Sequence, residues 1–196
     1  MASRVRERCL LRSLAMQLVD ADAHVNPVPT FWDEYLPKKF AGRAPKFVAG
    51  GPDDKNDWME FEGTRKPINL LSAVSGQGKK FKTEGKMELL RDGNWQPASR
   101  LEDMDRDGVE TAVMYGGGPL GTADNDLYLA SFQAYNNWLA DFCSYAPDRL
   151  VGAAYLPMQD VDQTIAMTKD AAKRGLKAIN IPAFPQSGAI TSGGFG

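Results

Sequence analysis

Asp20, Asp22 and His24 occupy every second position of the run QLVDADAHV near the start of the chain. Alternating residues of a strand project to the same side, so this pattern predicts the three polar groups on one face, opposite Ala21 and Ala23. A carboxylate and an imidazole two residues apart can both reach one divalent ion. Three protein ligands plus an open water position are what a hydrolytic zinc site requires. The same pair could instead hydrogen-bond the loop behind the strand, and spacing alone leaves both readings open. His24 is the only histidine of the 196 residues, so a cluster of imidazoles is excluded.

Other chemistry-bearing runs are weaker. Asp103, Asp105, Asp107 and Gly108 open like a calcium loop, but the twelfth position is Met114 and the eighth is Glu110, where a bidentate acid and an aliphatic belong. The acids are expected on a solvated helix face, with Gly108 at the turn that follows. The run Gly116, Gly117, Gly118, Pro119, Leu120, Gly121 lacks the dinucleotide spacing, and Pro119 removes an amide donor. Its glycines suit close approach of backbone to a small molecule, which makes Gly116, Gly117 and Gly118, with Trp32, candidate substrate-lining residues. Tyr35, Trp58, Arg65 and Arg100 are further candidates for substrate contact, although packing and solvation are the better account of such residues. The Gly76–Lys80 run is not a phosphate loop, because Ala73 and Lys80 replace its first glycine and its hydroxyl residue. No G-x-S-x-G occurs, and Cys143 falls on a helix with no base near it in sequence.

The elements that must position these groups follow from periodicity. Residues 17–25 read as a strand. A folded excursion rich in Pro, Gly and aromatics, with a few short helices, runs from Asn26 to Pro97. Residues 97–107 then read as a helix, 110–115 as a buried strand, 125–146 as a long amphipathic helix stopped by Pro147, and 150–156 as a second buried strand. Asp160 caps a helix over 161–174 that stops at Gly175, and 177–182 is a fourth strand. Strands alternating with helices specify a parallel α/β fold. An eight-stranded barrel needs about 200–250 residues, so the four strands visible here amount to about half of one.

Composition sets the outer limits. With 23 Lys+Arg against 25 Asp+Glu the net charge is −2, which gives no electrostatic reason to expect nucleic acid or an anionic membrane as partner. The two cysteines, Cys9 and Cys143, far apart and without a CxxC pattern, give no basis for a disulfide scaffold or a structural zinc site. No apolar run approaches the roughly 20 residues of a membrane span, so a cytoplasmic protein is expected. Residues 1–15 are rich in arginine and read as an extension preceding a natural start at Met16, with 16–185 as the folded unit and 186–196 as an irregular tail.

Taken in order, DADAHVNPVPTFWDEYLPKKF, RLEDMDRDGVETAVMYGGG, YNNWLADFCSYAPDRLVGAAYLPMQD and GLKAINIPAF resemble the N-terminal half of the amidohydrolase-related family. That family holds metal-dependent hydrolases and non-oxidative decarboxylases of the aminocarboxymuconate-semialdehyde and resorcylate type. The resemblance implies a partial TIM barrel with a metal at the C-terminal face and a small substrate, carboxylated or cyclic. The family's first-strand metal signature falls on Asp22 and His24, with Asp20 as a supporting acid and Asn26 where many relatives carry a second histidine. A divalent ion, zinc or manganese, is implied as cofactor. The later-strand histidine and the general acid/base aspartate of the family have no counterpart here, so the catalytic residue is expected beyond this chain and the chain is expected to be a truncated form. The rival expectation is a non-catalytic α/β fragment that acts by association, as a homo-oligomer for example, or is inactive alone.

Overall fold

A computed structural model describes residues 18–68, 78–80 and 85–181 of the chain. The expectations for residues 1–15 and 186–196, and for Ala73, Gly76 and Gln77, lie outside them. Strand β1 (Leu18–His24) is followed by helix α1 (Phe31–Tyr35), strands β2 (Lys46–Val48), β3 (Trp58–Phe61) and β4 (Thr64–Pro67), and helix α2 (Pro97–Asp107). Strand β5 (Val109–Tyr115), helix α3 (Asn125–Ser144), β6 (Leu150–Tyr155), α4 (Val161–Lys173) and β7 (Ala178–Asn180) complete the order.

Four strands pair in the order β1-β5-β6-β7, and every pairing is parallel. Met114, Ala112, Leu150 and Ala154 of this sheet join Leu127, Tyr135 and Leu139 of α3 in one buried cluster. Gly152 makes the approach possible: a Cβ there would lie 2.4 Å from Leu176 Cδ2 and 3.2 Å from Leu139 Cγ. Helix α3 begins where Asp124 accepts the Asp126 and Leu127 amides, and α4 where Asp160 accepts the Gln163 amide. Helix α2 starts with Pro97 and ends on Gly108 in the left-handed conformation. At the sheet's two edges, Leu18 and Val19 of β1 and Ile179 of β7 are exposed.

Two features depart from the sequence expectation. The excursion holds not only short helices but a three-stranded antiparallel sheet in the order β2-β3-β4. Its strands span three or four residues and β4 is exposed throughout, so no inside-outside alternation marks them. The β3–β4 turn uses Glu62 and Gly63, both at positive φ; Glu is an uncommon residue there, which hides the hairpin. Arg43 (2.7 Å) and Thr122 (2.9 Å) hold the Glu62 carboxylate, and Arg43 also pairs with Asp124, tying the excursion to the start of α3. The second departure is an irregularity in β1. Asp20 pairs with Ala112 and Ala23 with Met114, three steps against two, so the strict alternation expected of Asp20, Asp22 and His24 is interrupted between Asp20 and Ala23.

The loops of the excursion close around Asp57. This buried carboxylate accepts the Gly50 amide at 2.9 Å and the Met87 amide at 2.8 Å, with Lys86 Nζ at 3.4 Å. Burial alone would raise its pKa, but the two amides and the ammonium outweigh it and hold the carboxyl below its ordinary value. Asp103 is likewise held low, first by Arg91, against burial and with help from Arg106. Depressed carboxyls stabilise the fold above their unfolded pKa of about 4 and lose that contribution as pH falls through the folded value. Replacing Asp57 with Asn is therefore expected to cost about 2–3 kcal/mol in urea denaturation at pH 7. The wild-type advantage should shrink as pH falls from about 4 through the lowered folded value; an advantage unchanged by acid would count against this assignment.

Candidate metal-binding and substrate rim

The carboxyl ends of β1, β5 and β6 share one edge of the parallel sheet, where ligands of such folds bind. His24 closes β1 and pairs with Tyr115 at the end of β5. Arg100, on α2, donates through its guanidinium to the His24 carbonyl and through Nε to the Gly93 carbonyl at 3.0 Å. Burial pulls the Arg100 pKa down, opposed by Asp103 and Asp20. Beyond His24, the Val25 amide donates to the Tyr115 carbonyl and the Asn26 amide to the Asn94 carbonyl. The strand end is therefore fixed from β5 on one side and from the Arg91–Trp95 segment on the other.

Asp22 and His24 come together on this fixed end. Their nearest atoms, Oδ1 and Nε2, lie 3.9 Å apart, and the side chains are 75% and 60% exposed. The Tyr115 hydroxyl donates to Asp22 Oδ1 at 2.5 Å, and its ring meets the His24 ring edge-on with centroids 5.1 Å apart. That bond and the negative charge of Asp22 raise the Tyr115 pKa. Asp20 does not join the pair: its carboxylate accepts the Asp22 amide at 3.0 Å, within the irregular part of the strand.

The candidate rim glycines lie directly against these groups. Gly116 has φ of 134°, and a Cβ on it would sit 2.7 Å from the Val25 carbonyl oxygen and 3.2 Å from His24 Cδ2. A Cβ on Gly117 would lie 3.3 Å from Tyr135 Cε2, and one on Gly118 would lie 3.7 Å from Tyr155 Cζ. The Tyr155 hydroxyl accepts from the Gly116 amide and the Asn180 side chain, while burial, the larger effect, raises its pKa. Trp32 is buried in α1 against Phe31 and shares a cavity lining with Gly117 and Gly118.

The remaining candidates are engaged elsewhere. Trp58 donates to Asp54 at 2.8 Å and carries the Arg65 guanidinium 4.7 Å above its ring, both on the small sheet. Tyr35 donates to Asp141 at 2.9 Å, and burial together with that carboxylate lifts its pKa to about 12. Arg100 is a strut for the backbone of β1, not a group offered to substrate. Burial pushes the Cys143 thiol up to about 12, which leaves it a poor nucleophile. Asp103 and Asp105 of the calcium-like run bond Arg91, Arg106 and Arg149.

Tyr115, Tyr155, Tyr135 and Asn136 were not singled out by sequence reasoning. The first two end buried strands, a position that points at a rim, and could have been found by that signal. Asn136 is buried on an otherwise apolar helix face, where its Nδ2 donates to the Tyr155 carbonyl at 2.8 Å and its Oδ1 accepts the Tyr155 amide at 2.9 Å.

Asp22 and His24 stand where a divalent ion could touch both, but two donors fall short of the three protein ligands that retain one, and the Tyr115 hydroxyl already occupies Asp22 Oδ1. No group of three or more His, Cys, Asp or Glu side chains able to hold a metal occurs among the described residues. As described, these residues do not fit a tightly held ion.

The sequence matches the amidohydrolase family profile over residues 19–194. No protein of curated function matches it. Among solved structures, an amidohydrolase from Mycobacterium avium subsp. paratuberculosis K-10 is similar at 19% identity and TM-score 0.60, over 85% of this chain and 48% of that one. A 2,6-dihydroxybenzoate decarboxylase from Rhizobium is 20% identical over 90% of this chain and 42% of its own, with TM-score 0.46. A dihydroxybenzoic acid decarboxylase from Polaromonas sp. JS666, solved with manganese and 2-nitroresorcinol, is 17% identical over 84% and 38%, with TM-score 0.44. The chain thus spans about half the length of the first of these, and the likeness establishes the fold as a partial TIM barrel with a four-stranded parallel sheet.

The contact between Gly116 and β1 gives a direct test. Gly116→Ala should destabilise the chain by about 2 kcal/mol or more, because the new methyl meets backbone and the φ disfavours any Cβ. It should also move the ring proton signals of His24, the sole histidine. A variant of wild-type stability with unmoved signals would show that the turn does not seat the strand end.

Proposed function

We propose, from the premise that the chain belongs to the amidohydrolase family, that it carries one arm of the active site of a metal-dependent hydrolase or non-oxidative decarboxylase. The substrate class is a small organic molecule, carboxylated or cyclic. The observation that carries this reading is the pairing of Asp22 and His24, side by side and open to solvent, at the carboxyl end of β1. In a parallel barrel that end faces the reaction, whatever the chemistry. Asp22 and His24 would be two of the donors to zinc or manganese, Tyr115 would orient the Asp22 carboxylate, and Trp32 with Gly116, Gly117 and Gly118 would border the substrate. Because the described residues do not complete a donor set, no reaction step is assigned to them.

A second reading has its own support. The exposed apolar residues at both sheet edges, Leu18, Val19 and Ile179, favour a chain that works by association, with a second copy for instance. The two readings differ in what happens at His24 and at the edges.

Because His24 is the only histidine, its ring signals report on the proposed arm without ambiguity. Mn²⁺ titrated into the chain should broaden them selectively, with affinity too weak to survive gel filtration, and Asp22→Asn should weaken the effect severalfold. Ring signals that stay sharp at millimolar Mn²⁺ would remove Asp22 and His24 as metal ligands. Sedimentation velocity in the same samples addresses the second reading: concentration-dependent association that Val19→Lys abolishes supports it, and a monomer at all concentrations excludes it.

A further inference from the structure

The β3–β4 hairpin and the rim glycines line one cavity of about 220 Å³, to which Met59, Pro67 and Ile68 contribute from the hairpin side and Gly117 and Gly118 from the rim. At its tip the hairpin is fastened to the far end of the same rim loop. Glu62 Oε1 accepts the Thr122 hydroxyl at 2.9 Å and Arg43 Nη2 at 2.7 Å. Arg43 also donates to the Asp124 carboxylate, and the Asp124 amide donates to the Thr122 hydroxyl at 3.2 Å. These four residues form a closed ring that joins the hairpin tip, the rim loop and the start of α3.

Glu62 holds this ring together from a backbone conformation that does not suit it. Its φ is 45°, where glycine or asparagine is at home and a glutamate is not. Either of those residues would make the turn at less cost, but neither carries a carboxylate to meet Arg43 and Thr122. An unfavourable conformation persists only while its surroundings hold it, so the ring works against the strain at the turn. The grip is of a breakable kind: Arg43, Glu62 and Asp124 are all open to solvent, where ion pairs are weak and screened by salt. The small sheet itself has short strands that pair with one another, and among the described elements none packs extensively on a helix or strand of the parallel unit. Phe61, beside the turn, rests half-buried against the core and gives the hairpin an apolar seat when it is down.

We propose that the β3–β4 hairpin is a lid on the rim, latched shut by the Glu62 carboxylate and able to lift from the Gly116–Thr122 loop when that latch is released. Lifting it opens the cavity beside Gly117 and Gly118. Admission of a substrate through this opening rests on the proposed function; the opening itself does not.

The test is amide hydrogen exchange on the full chain, read by mass spectrometry without metal or ligand. Glu62→Gly relieves the turn and removes the latch, so the two effects separate. Exchange in residues 116–122 should quicken about three- to tenfold, while the strand amides of 58–61 and 64–67 exchange no faster than in the wild type. Arg43→Met should quicken 116–122 likewise. About 0.5 M sodium chloride should do the same to the wild type, and have less effect on either variant. The proposal is overturned if exchange in 116–122 is unchanged in either variant, or is insensitive to salt in the wild type. It is overturned equally if the rise extends through 130–144 of α3 and through β6, which would be loosening of the whole fold. Failure here leaves the Mn²⁺ result at His24 untouched, and failure there leaves this result untouched.

Discussion

The constraint on which the rest of the structure depends is the seating of one strand end. His24 and Val25 are fixed through their backbone: Arg100 holds the carbonyl of the first, and the Tyr115 carbonyl accepts the amide of the second. Gly116 then passes so close that no side chain could be tolerated. Because the restraint acts on the backbone, the Asp22 and His24 side chains remain exposed without being loose at their roots. Restraint behind a strand and openness in front of it is the division of labour expected of the C-terminal edge of a parallel sheet.

Much of this architecture was legible in the chain. The helices at 97–107, 125–144 and 161–173 carry their own start and stop signals in Pro97, Gly108, Asp124, Asp160 and Gly175, and the strands between them are mostly apolar runs. What could not be read was structure without a periodic signal. The hairpin of β3 and β4 turns on a Glu at positive φ, and its conformation is held by Arg43 and Thr122, which are distant in sequence. The irregularity in β1 between Asp20 and Ala23 is a property of pairing with β5 and not of the residues themselves.

The candidate site divides along the same line. Asp22 and His24 stand out by residue type and spacing. Arg100 stood out as well, but its type suggested a carboxylate partner, whereas its partners are two carbonyl oxygens. Family membership adds a direction to this edge of the sheet and an expectation of metal. The donor count among the described residues stops short of that expectation, since the second carboxylate, Asp20, is spent on the backbone of its own strand.

Asn136 has a consequence of another kind. Its amide meets both the N–H and the C=O of one residue, Tyr155, as a neighbouring strand would. A helix packed by apolar side chains alone can slide a fraction of a turn at little cost, but this one is keyed to β6 like a tooth in a notch. Insertion or deletion of a single residue between that tooth and its notch must be absorbed entirely in the segment 145–149, so sequence drift in length belongs to the loops, and α3 with β6 should be inherited as one rigid cassette.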